Sequence, residues 1–472
     1  MTEAWGNSAP TRVSALQTRV SAPRRSHRPA PAIDDRRDCG RKAQLGNVEV
    51  FFVYGLDLRK LTLQESLQFA LWHAAARIAG WLRPSAIRRR REPDHDPAPA
   101  GISVVIPSRD GRALLAAQLP GIVRELAMPG EAIVVDNGSS DGTAQWLAAE
   151  WPQMQVEVAA EPLSFAAAVN RGIARARYSH VCLLNNDMLL EPGFFTALAA
   201  AFHKVPDLFC ATAQIRFPAG VRREETGKAV MAQAHPDAFP LRCDEPIAGE
   251  DLTWVLYGSG GCSLYDAAML RALGGVDEAY APAYVEDLDV GYRAWQRGWP
   301  TVFVAGAVVE HRHRATTSRY FTEEQLAEIL ETNYLKFLAR AVADGALFRR
   351  LWSESTGRLL RRRDRALRHA AQLALAGGPS ERSTYPEERI LALTGGDVAV
   401  FPGGDASAAP LVTFAERLET PPPAVQASHC EVVLVRRGNE LAMRTAMEWT
   451  SKKQRAGDKW AGGAPSREPR LP

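Results

Sequence analysis

The chain has 472 residues, of which 46% are hydrophobic and 24% charged, and its formal net charge at pH 7 is +3. This length allows two or three domains, and the composition is ordinary for a soluble globular protein. The six cysteines lack the C-x-x-C spacing of a zinc site or a disulfide framework. No segment approaches the ~20 uninterrupted apolar residues of a membrane span, and the first residues lack the apolar core of a signal peptide. We therefore expect a cytoplasmic protein.

Two different regions precede the main domain. Residues 1–45 are rich in Ser, Pro, Ala and Arg without a periodic apolar pattern, which predicts a disordered basic arm. Within residues 46–100, apolar side chains from Leu67 to Trp81 recur at helical spacing, the arginine run Arg88–Arg91 follows, and a linker rich in Pro, Asp and Ala ends the region. Such an amphipathic helix could lie on an anionic membrane surface or pack against the main domain.

From Gly101 onward, continuous apolar runs alternate with helical patterns. The apolar runs predict strands that are buried on both faces, at residues 102–107, 132–135, 156–158 and 181–184. Helices are predicted between them, at residues 114–123, from 140 and at 166–176. This alternation predicts an α/β fold with a right-handed, mostly parallel open sheet that is flanked by helices.

Polar residues directly follow three of these predicted strands. Ligands bind at the carboxyl ends of the strands in such a sheet. The segments at those ends are Pro107-Ser108-Arg109-Asp110, Asp136-Asn137 and Asn185-Asn186-Asp187. The fold therefore predicts two acidic groups and several amide donors around one crevice.

The pattern beyond Phe202 is less regular. An interrupted strand at 254–264 contains Gly260 and Gly261, and a loop enters a helix at 284–295. A strand at 301–304 leads, through residues 307–309, to His311-Arg312-His313, and helices are predicted at 322–340 and, with many basic residues, at 359–375.

Carboxylates in two of these places could support catalysis. Asp187 follows a buried strand, where a single carboxylate can bind a hard cation such as Mg²⁺ or Mn²⁺. Glu286, Asp287 and Asp289 begin a predicted helix, and one of them could accept a proton as a general base. Interaction with the helix dipole would by itself explain one acidic residue there.

Six sequence strings, taken in order, resemble one enzyme family. VVIPSRDGRALL, IVVDNGSSDGT, LSFAAAVNRGIARA and LLNNDMLLEPGF resemble the donor-binding half of the family 2 glycosyltransferases, which have the GT-A fold. GSGGCSLYDAAMLRALGGVDEAY and YVEDLDVGYRAWQRGW resemble the acceptor-side half, so that the match spans residues 101–340. The resemblance implies transfer of a single sugar, with inversion, from a nucleotide-diphosphate donor to an acceptor hydroxyl, with Mn²⁺ or Mg²⁺ as cofactor.

The resemblance also assigns roles to individual residues. Asp287 corresponds to the family's catalytic base, and Asp187 with His311 or His313 to its metal ligands. The nucleotide-sugar contacts implied are Pro107, Ser108, Arg109, Asp136, Asn137, Asn170 and Asn186, and those on the acceptor side are Gly260, Gly261, Glu286 and Trp295. Three features have a simpler explanation as well, because Asn170 could cap or pack, the glycines could form a tight turn, and the histidines could merely end a strand.

The sequence departs from the family pattern at two strand ends. Where the family has Thr-Tyr-Asn this chain has Ser108-Arg109-Asp110, so that a guanidinium replaces the aromatic ring and could stack or reach a phosphate. The metal element is Asn-Asn-Asp, in which only Asp187 carries a full charge. This form resembles the branch of rhamnosyltransferases that act on cell-surface polysaccharides. The membrane spans and Q-x-x-R-W motif of the processive branch are not found in that form, which favours single-sugar transfer.

The expected partners follow from the same resemblance. They are the donor and a glycan or lipid-linked acceptor used in cell-surface polysaccharide or glycolipid synthesis, met in the cytoplasm or peripherally at the inner face of the membrane. No basic groove with interleaved aromatic residues suggests nucleic acid. Two alternatives are a sugar nucleotidyltransferase, for which residues 107–111 poorly replace the usual Gly-rich triphosphate loop, and a non-catalytic binder of membrane surfaces.

The C-terminal part is predicted to be separate from this domain. Residues 341–380 form a basic helical region, and residues 381–450 a small α/β segment with strands at 389–399, 411–416 and 431–435. That segment faintly resembles the truncated opening of a GT-B-type glycosyltransferase. Residues 451–472 are polar and are predicted to be a disordered tail.

Overall fold

The computed structural model describes residues 63–401 and 432–435, with short gaps. The gaps are 86–91, 94–97, 127–128, 206, 218–226, 232–237, 245, 247–248, 313–318, 380–381 and 396–397. The predicted arm at 1–45, the predicted strand at 411–416, His313 and the tail from 451 lie outside the described residues.

The strands of the described chain form one large sheet and two small ones. They are β1 (Ile102–Ser108), β2 (Gly130–Asn137), β3 (Gln155–Ala159), β4 (His180–Leu184), β5 (Met188–Leu190), β6 (Cys210–Arg216), β7 (Lys228–Met231), β8 (Leu241–Asp244), β9 (Thr253–Val255), β10 (Cys262–Asp266), β11 (Thr301–His311), β12 (Val398–Phe401) and β13 (Val432–Val435). The large sheet has nine strands in the order β3-β2-β1-β4-β10-β6-β11-β5, with β9 also beside β11. The two small sheets pair β7 with β8 and β12 with β13.

Most strands of the large sheet point in the same direction. β1 to β4 are mutually parallel, and β6 and β11 are parallel to each other. β10 lies antiparallel between β4 and β6, while β5 and β9 are antiparallel to β11. Six strands thus run one way and three the other, which confirms the predicted open, mostly parallel α/β sheet.

Helices lie along the sheet and behind it. They are α1 (Leu63–Trp81), α2 (Arg112–Glu125), α3 (Thr143–Glu150), α4 (Phe165–Arg175), α5 (Phe194–Lys204), α6 (Ala267–Ala272), α7 (Glu286–Gln296), α8 (Glu323–Ala341), α9 (Gly345–Arg362), α10 (Leu367–Ala376) and α11 (Glu387–Leu393). None of the helices described has both the length and the apolar composition that crossing a bilayer requires.

The central strands are apolar on both faces because each face covers a separate core. On β1, Val104 and Ile106 belong to one cluster of buried residues and Val105 belongs to the other. Successive residues of the strand point to opposite faces of the sheet, and both faces are buried. Val104, Val105 and Ile106 must therefore all be apolar, which explains the continuous apolar run in the sequence.

Two C-terminal predictions were wrong in detail. The helix predicted at 359–375 is two helices, α9 and α10, because Arg363 ends α9 in the left-handed conformation at φ 53°. Residues 389–393 are helical in α11 rather than extended, and a strand begins only at Val398. Pro386 before the helix and two glutamates in its first turn favour this helix start.

The C-terminal segment packs against the central domain. Val398 and Val400 of β12 are fully buried. Val400 exchanges hydrogen bonds with the Thr253 hydroxyl, at 3.1 and 3.3 Å. Residues near 400 thus complete the packing around β9 rather than forming a detached layer.

Candidate functional site

The ends of β1, β2 and β4 lie side by side, as the topology requires. Ser108, the last residue of β1, pairs in register with Asp136 near the end of β2. On the other side of β1, β4 ends at Leu184 and leads into Asn185-Asn186-Asp187. The three polar segments predicted from the sequence are therefore brought to one edge of the sheet.

A buried hydrogen bond joins two of these strand ends. Asn186 Nδ2 donates to Ser108 Oγ at 2.9 Å, and both side chains are buried. Gly111 packs directly against this pair, since a Cβ there would lie 2.3 Å from Asn186 Nδ2 and 2.4 Å from Ser108 Oγ. Gly111 therefore leaves the space in which this hydrogen bond sits.

A glutamine that is not among the predicted site residues holds the turn that carries Asp187. Gln118 Nε2 of α2 donates to the carbonyl of Asn185 at 2.5 Å and to that of Met188 at 2.8 Å. On the other side, the Asn185 backbone N–H donates to the Gly261 carbonyl at 2.8 Å. These hydrogen bonds hold the turn from two sides. In the sequence, the role of Gln118 is indicated only by its being a polar residue on an apolar helix face.

Asp187 and His311 face each other across neighbouring strands. β11 and β5 pair His311 with Met188, and the backbone N–H of Arg312 donates to the Asp187 carbonyl at 3.0 Å. His311 Nε2 lies 3.4 Å from Asp187 Oδ2, while the buried Asp187 Oδ1 has no hydrogen-bond partner.

This pair fits a divalent cation that takes its other ligands from a bound molecule. A carboxylate oxygen and an imidazole nitrogen suit Mn²⁺ or Mg²⁺, and the orphaned Oδ1 is an oxygen that a cation would satisfy. No group of three or more His, Cys, Asp or Glu side chains with metal-site geometry occurs among the described residues. Phosphate oxygens would have to complete the coordination.

Asp136 resembles Asp187 in its surroundings, whereas two of the three predicted asparagines do not. Asp136 is 2% exposed, and its Oδ1 has no hydrogen-bond partner in the structure. Asn137 instead exchanges two hydrogen bonds with the backbone of Leu163, at 2.7 and 3.1 Å. Asn170 does the same with Val276, at 2.8 and 3.0 Å. Both amides thus hold loops in place.

Arg109 stacks on an aromatic ring supplied from a distant part of the chain. Its Cζ lies 4.0 Å from the centroid of Tyr320, and Tyr320 Oη donates to Asp110 Oδ2 at 2.6 Å. The Ser140 backbone N–H also donates to the Asp110 carboxylate, at 2.6 Å. The hydrogen bonds from Tyr320 and Ser140 lower the pKa of Asp110. Tyr320 therefore supplies an aromatic ring close to position 109, where the family has a tyrosine and this chain has an arginine. The local sequence around Tyr320 contains no pattern that predicts this contact.

The three carboxylates at the start of α7 have different environments. Asp287 is partly exposed, and its oxygens accept from the backbone N–H groups of Gly260 at 3.3 Å and Leu288 at 2.8 Å. Asp289 is buried, with Tyr280 Oη at 3.0 Å and Arg293 Nε at 2.6 Å. Glu286 is buried with its Oε2 unpartnered. Burial raises the pKa of both Glu286 and Asp287, and the charge of Asp287 adds to the effect on Glu286.

The two glycines at 260 and 261 link this helix start to the turn with Asp187. A Cβ on Gly260 would lie 3.5 Å from the nearest atom, which belongs to Asp287. A Cβ on Gly261 would lie only 2.5 Å from Asn185 Nδ2. Gly261 thus permits a close approach between the two segments, and it places Asp287 and Asn185 on either side of a single two-residue stretch.

Trp295 lies in the core and not at the crevice. Its side chain is fully buried, and its Nε1 donates to the Val255 carbonyl at 2.8 Å. The family resemblance implies an acceptor-side role for Trp295, but a ring without exposed surface cannot contact an acceptor in this structure. Its large apolar ring and its satisfied N–H are typical of a core residue.

Comparisons with known proteins indicate which family the central part of the chain resembles. Residues 99–327 match the family described as "Glycosyltransferase like family 2". The N-acetylglucosaminyl-diphospho-decaprenol L-rhamnosyltransferase of Mycobacterium tuberculosis is 28% identical over 217 residues, which cover 40% of this chain and 69% of that protein.

Two solved structures are also similar in part. Residues 1–349 of S. aureus TarS give a TM-score of 0.38 at 14% identity, covering 55% of this chain and 72% of that one. The mannosyltransferase PcManGT of Pyrobaculum calidifontis, solved with GDP-Man and Mn²⁺, gives a TM-score of 0.37 at 15% identity, covering 85% and 99%.

The family match and the mycobacterial relative confirm the family and the enzyme class that the sequence strings predicted. The family match begins just before β1 and ends within α8, so that it contains the strand ends and the start of α7 that form the candidate site. Residues 99–327 therefore form a domain of glycosyltransferase family 2, and the chain is a glycosyltransferase.

Proposed function

We propose that this glycosyltransferase moves one sugar from a nucleotide-diphosphate donor to an acceptor hydroxyl with inversion, using residues 101–340. The observation that supports this most strongly is the pair formed by Asp187 and His311. A buried carboxylate with one unpartnered oxygen, 3.4 Å from an imidazole, sits at the strand ends where a diphosphate would be bound.

The donor is held by the ends of β1, β2 and β4. Asp136 has a buried, unpartnered carboxylate oxygen that can accept hydrogen bonds from the nucleoside. Arg109, stacked on Tyr320, offers a planar cation to the base or to a phosphate. Asp187 and His311 would hold the divalent cation, which would supply positive charge to neutralise the diphosphate. Pro107, Ser108 and Asn186 shape this part of the crevice.

Asp287 serves as the general base. It accepts the proton of the acceptor hydroxyl while the hydroxyl oxygen forms a bond to the anomeric carbon from the face opposite the diphosphate. The bond between the anomeric carbon and the diphosphate oxygen breaks, and its electron pair leaves with the nucleoside diphosphate. The raised pKa of Asp287 suits this role because it makes the carboxylate a stronger proton acceptor. Gly260 lies against Asp287, and its lack of a side chain leaves room for the acceptor, while Glu286 precedes Asp287 at the start of α7.

The acceptor is a lipid-linked glycan of a cell-surface polysaccharide or glycolipid. The mycobacterial relative is named for a rhamnosyl transfer to N-acetylglucosaminyl-diphospho-decaprenol. That acceptor is a sugar linked through a diphosphate to a lipid. An acceptor of this kind is presented at a membrane surface, so that peripheral contact of the enzyme with the membrane would bring Asp287 to its substrate.

Calorimetry with nucleoside diphosphates tests the metal-bound donor site. UDP, GDP and dTDP are titrated into the full chain with and without Mn²⁺, and we expect one of them to bind only with the metal. Asp187→Ala should abolish this metal-dependent binding. Glu191→Ala is the matched control, because Glu191 is a half-exposed carboxylate four residues away and its loss should change nothing. Metal-dependent binding that survives in Asp187→Ala would remove Asp187 from the site.

A further inference from the structure

One side of α1 carries most of the exposed large apolar side chains of the described chain. Six of nine such residues lie between 63 and 82, and they are 55–79% exposed. We call these six residues the outer face of α1: Leu63, Leu67, Leu71, Ile78, Trp81 and Leu82. Single exposed apolar residues are common, but a cluster of this size indicates an interaction surface.

The opposite side of α1 is already packed against the protein. Trp352 Nε1 of α9 donates to the Ala76 carbonyl at 2.9 Å, and a Cβ on Gly80 would lie 2.6 Å from the Trp352 ring. Phe69 and Trp72 are half-buried and contact each other edge to face. The helix is therefore fixed in orientation by its inner side, and internal packing does not account for the apolar character of its outer face.

The exposed charge on α1 is basic, and its one carboxylate, Glu65, is partly buried in the first turn. The exposed polar residues of α1 are Gln64, Gln68 and Arg77, and none of its exposed positions carries a carboxylate. Arg363 donates to Ser66 Oγ at 3.4 Å beside the start of the helix. In the sequence, the run Arg88–Arg91 follows its end, although these residues lie outside the described part of the chain. An apolar helix face with basic flanks and a terminal tryptophan is the pattern of helices that lie in the surface of an anionic bilayer.

We infer that the outer face of α1 docks on the surface of an anionic lipid bilayer, with the helix axis in the plane of the membrane. A second copy of the chain fits less well, since two such faces would bring the same basic residues together. The inference rests on the proposed use of a lipid-linked acceptor, and it names the surface that meets the lipid. It does not depend on the assignments of Asp187 or Asp287.

Vesicle flotation of the full chain tests this surface. The probes are vesicles of phosphatidylcholine alone and of phosphatidylcholine with phosphatidylglycerol. We expect binding to the anionic vesicles and a decrease of 10-fold or more in the vesicle partition coefficient for Leu71→Gln combined with Ile78→Gln. Val123→Gln is the control, because Val123 is a 48% exposed apolar residue on α2, and this variant should float like the unmodified chain.

Three results would overturn the inference. They are no binding of the unmodified chain to anionic vesicles, equal flotation of the double variant, and a concentration-dependent dimer that the double variant abolishes without any vesicle binding. Nucleoside diphosphate binding with Mn²⁺, measured on the same samples, separates this surface from the proposed reaction. Donor binding that persists while flotation fails refutes only the docking surface, and the reverse result refutes only the donor site.

Discussion

Buried carboxylates in the crevice differ from those in the layer behind the sheet in their hydrogen-bond partners. Behind the sheet, Glu331 of α8 receives hydrogen bonds from Arg358 and Arg362, and Glu250 receives them from Lys228 at 2.9 and 3.1 Å. At the crevice, Asp136 and Asp187 each keep one buried oxygen without a partner.

We propose that this difference separates the buried charges that are structural from those that belong to a binding site. A buried polar atom without a hydrogen bond costs free energy, and folded proteins keep few of them. When the cost falls on neighbouring strand ends, a ligand that supplies the missing partners explains it. When every carboxylate oxygen is satisfied by an arginine or lysine, the group already has its partner within the fold.

The largest effect is expected at Asp287. Asp287→Asn keeps the size of the side chain but removes its ability to accept a proton, so that turnover should fall about 10²–10⁴-fold. Transfer to acceptor at saturating donor is the measurement, and nucleoside diphosphate binding should hardly change. Because burial raises the pKa of Asp287, the rate of the unmodified enzyme should fall in acid at a pH above the usual range of an aspartate.

Asp289→Asn provides the comparison on the same helix. The Asp289 carboxylate accepts hydrogen bonds from Arg293 and Tyr280. Asp289→Asn should therefore lower the melting temperature, and it should reduce the turnover of the folded enzyme much less than Asp287→Asn does. A fully active Asp287→Asn beside an inactive but stable Asp289→Asn would reverse the two roles.

A structural effect of several kcal/mol is expected behind the sheet. Arg358→Met removes the cation from Glu331 and leaves a buried carboxylate with less compensation, which typically costs about 3–5 kcal/mol of unfolding free energy. Denaturant unfolding measures this, and donor affinity below the transition should stay unchanged. A loss of donor affinity without a loss of stability would contradict the distinction between the two kinds of carboxylate.

The smallest effect concerns the close approach at the two glycines. Gly261→Ala places a Cβ 2.5 Å from Asn185 Nδ2, whereas Gly260→Ala makes only an ordinary contact at 3.5 Å. Overpacking of this kind costs about 1–3 kcal/mol. We expect Gly261→Ala to lower stability and metal-dependent donor binding, and Gly260→Ala to leave both near normal. Equal values for the two variants would show that the segments can move apart without cost.

The sheet was the part of the fold that the sequence predicted best. Strands such as β1 and β2 are buried on both faces, so that local composition alone marks them. Short strands such as β7 and β8 were missed because four residues carry too little pattern. The break at Arg363 was also missed, because arginine is a good helix former and only tertiary packing places it in the left-handed conformation.

Site residues could be predicted from the sequence where they directly follow a buried strand. Asp136 and Asp187 follow buried strands, and the structure shows them at one edge. Asn137, Asn170 and Trp295 have the residue types of a ligand site, yet their polar groups bind backbone atoms elsewhere in the chain. Conversely, Gln118 and Tyr320 reach the site from a distance. Such long-range pairing leaves no trace in local sequence.

The burial of β12 bears on how far the family domain can stand alone as a folding unit. Lys228, inside the segment that matches the family, donates not only to Glu250 but also to the Val398 carbonyl at 2.7 Å. The Thr253 hydroxyl likewise accepts a hydrogen bond from the backbone N–H of Val400. A fragment that ended at residue 327 would present these groups, and the apolar residues around them, to water. The autonomous unit of this enzyme therefore extends to at least residue 400, and transplanting the catalytic half into another protein would require carrying β12 with it.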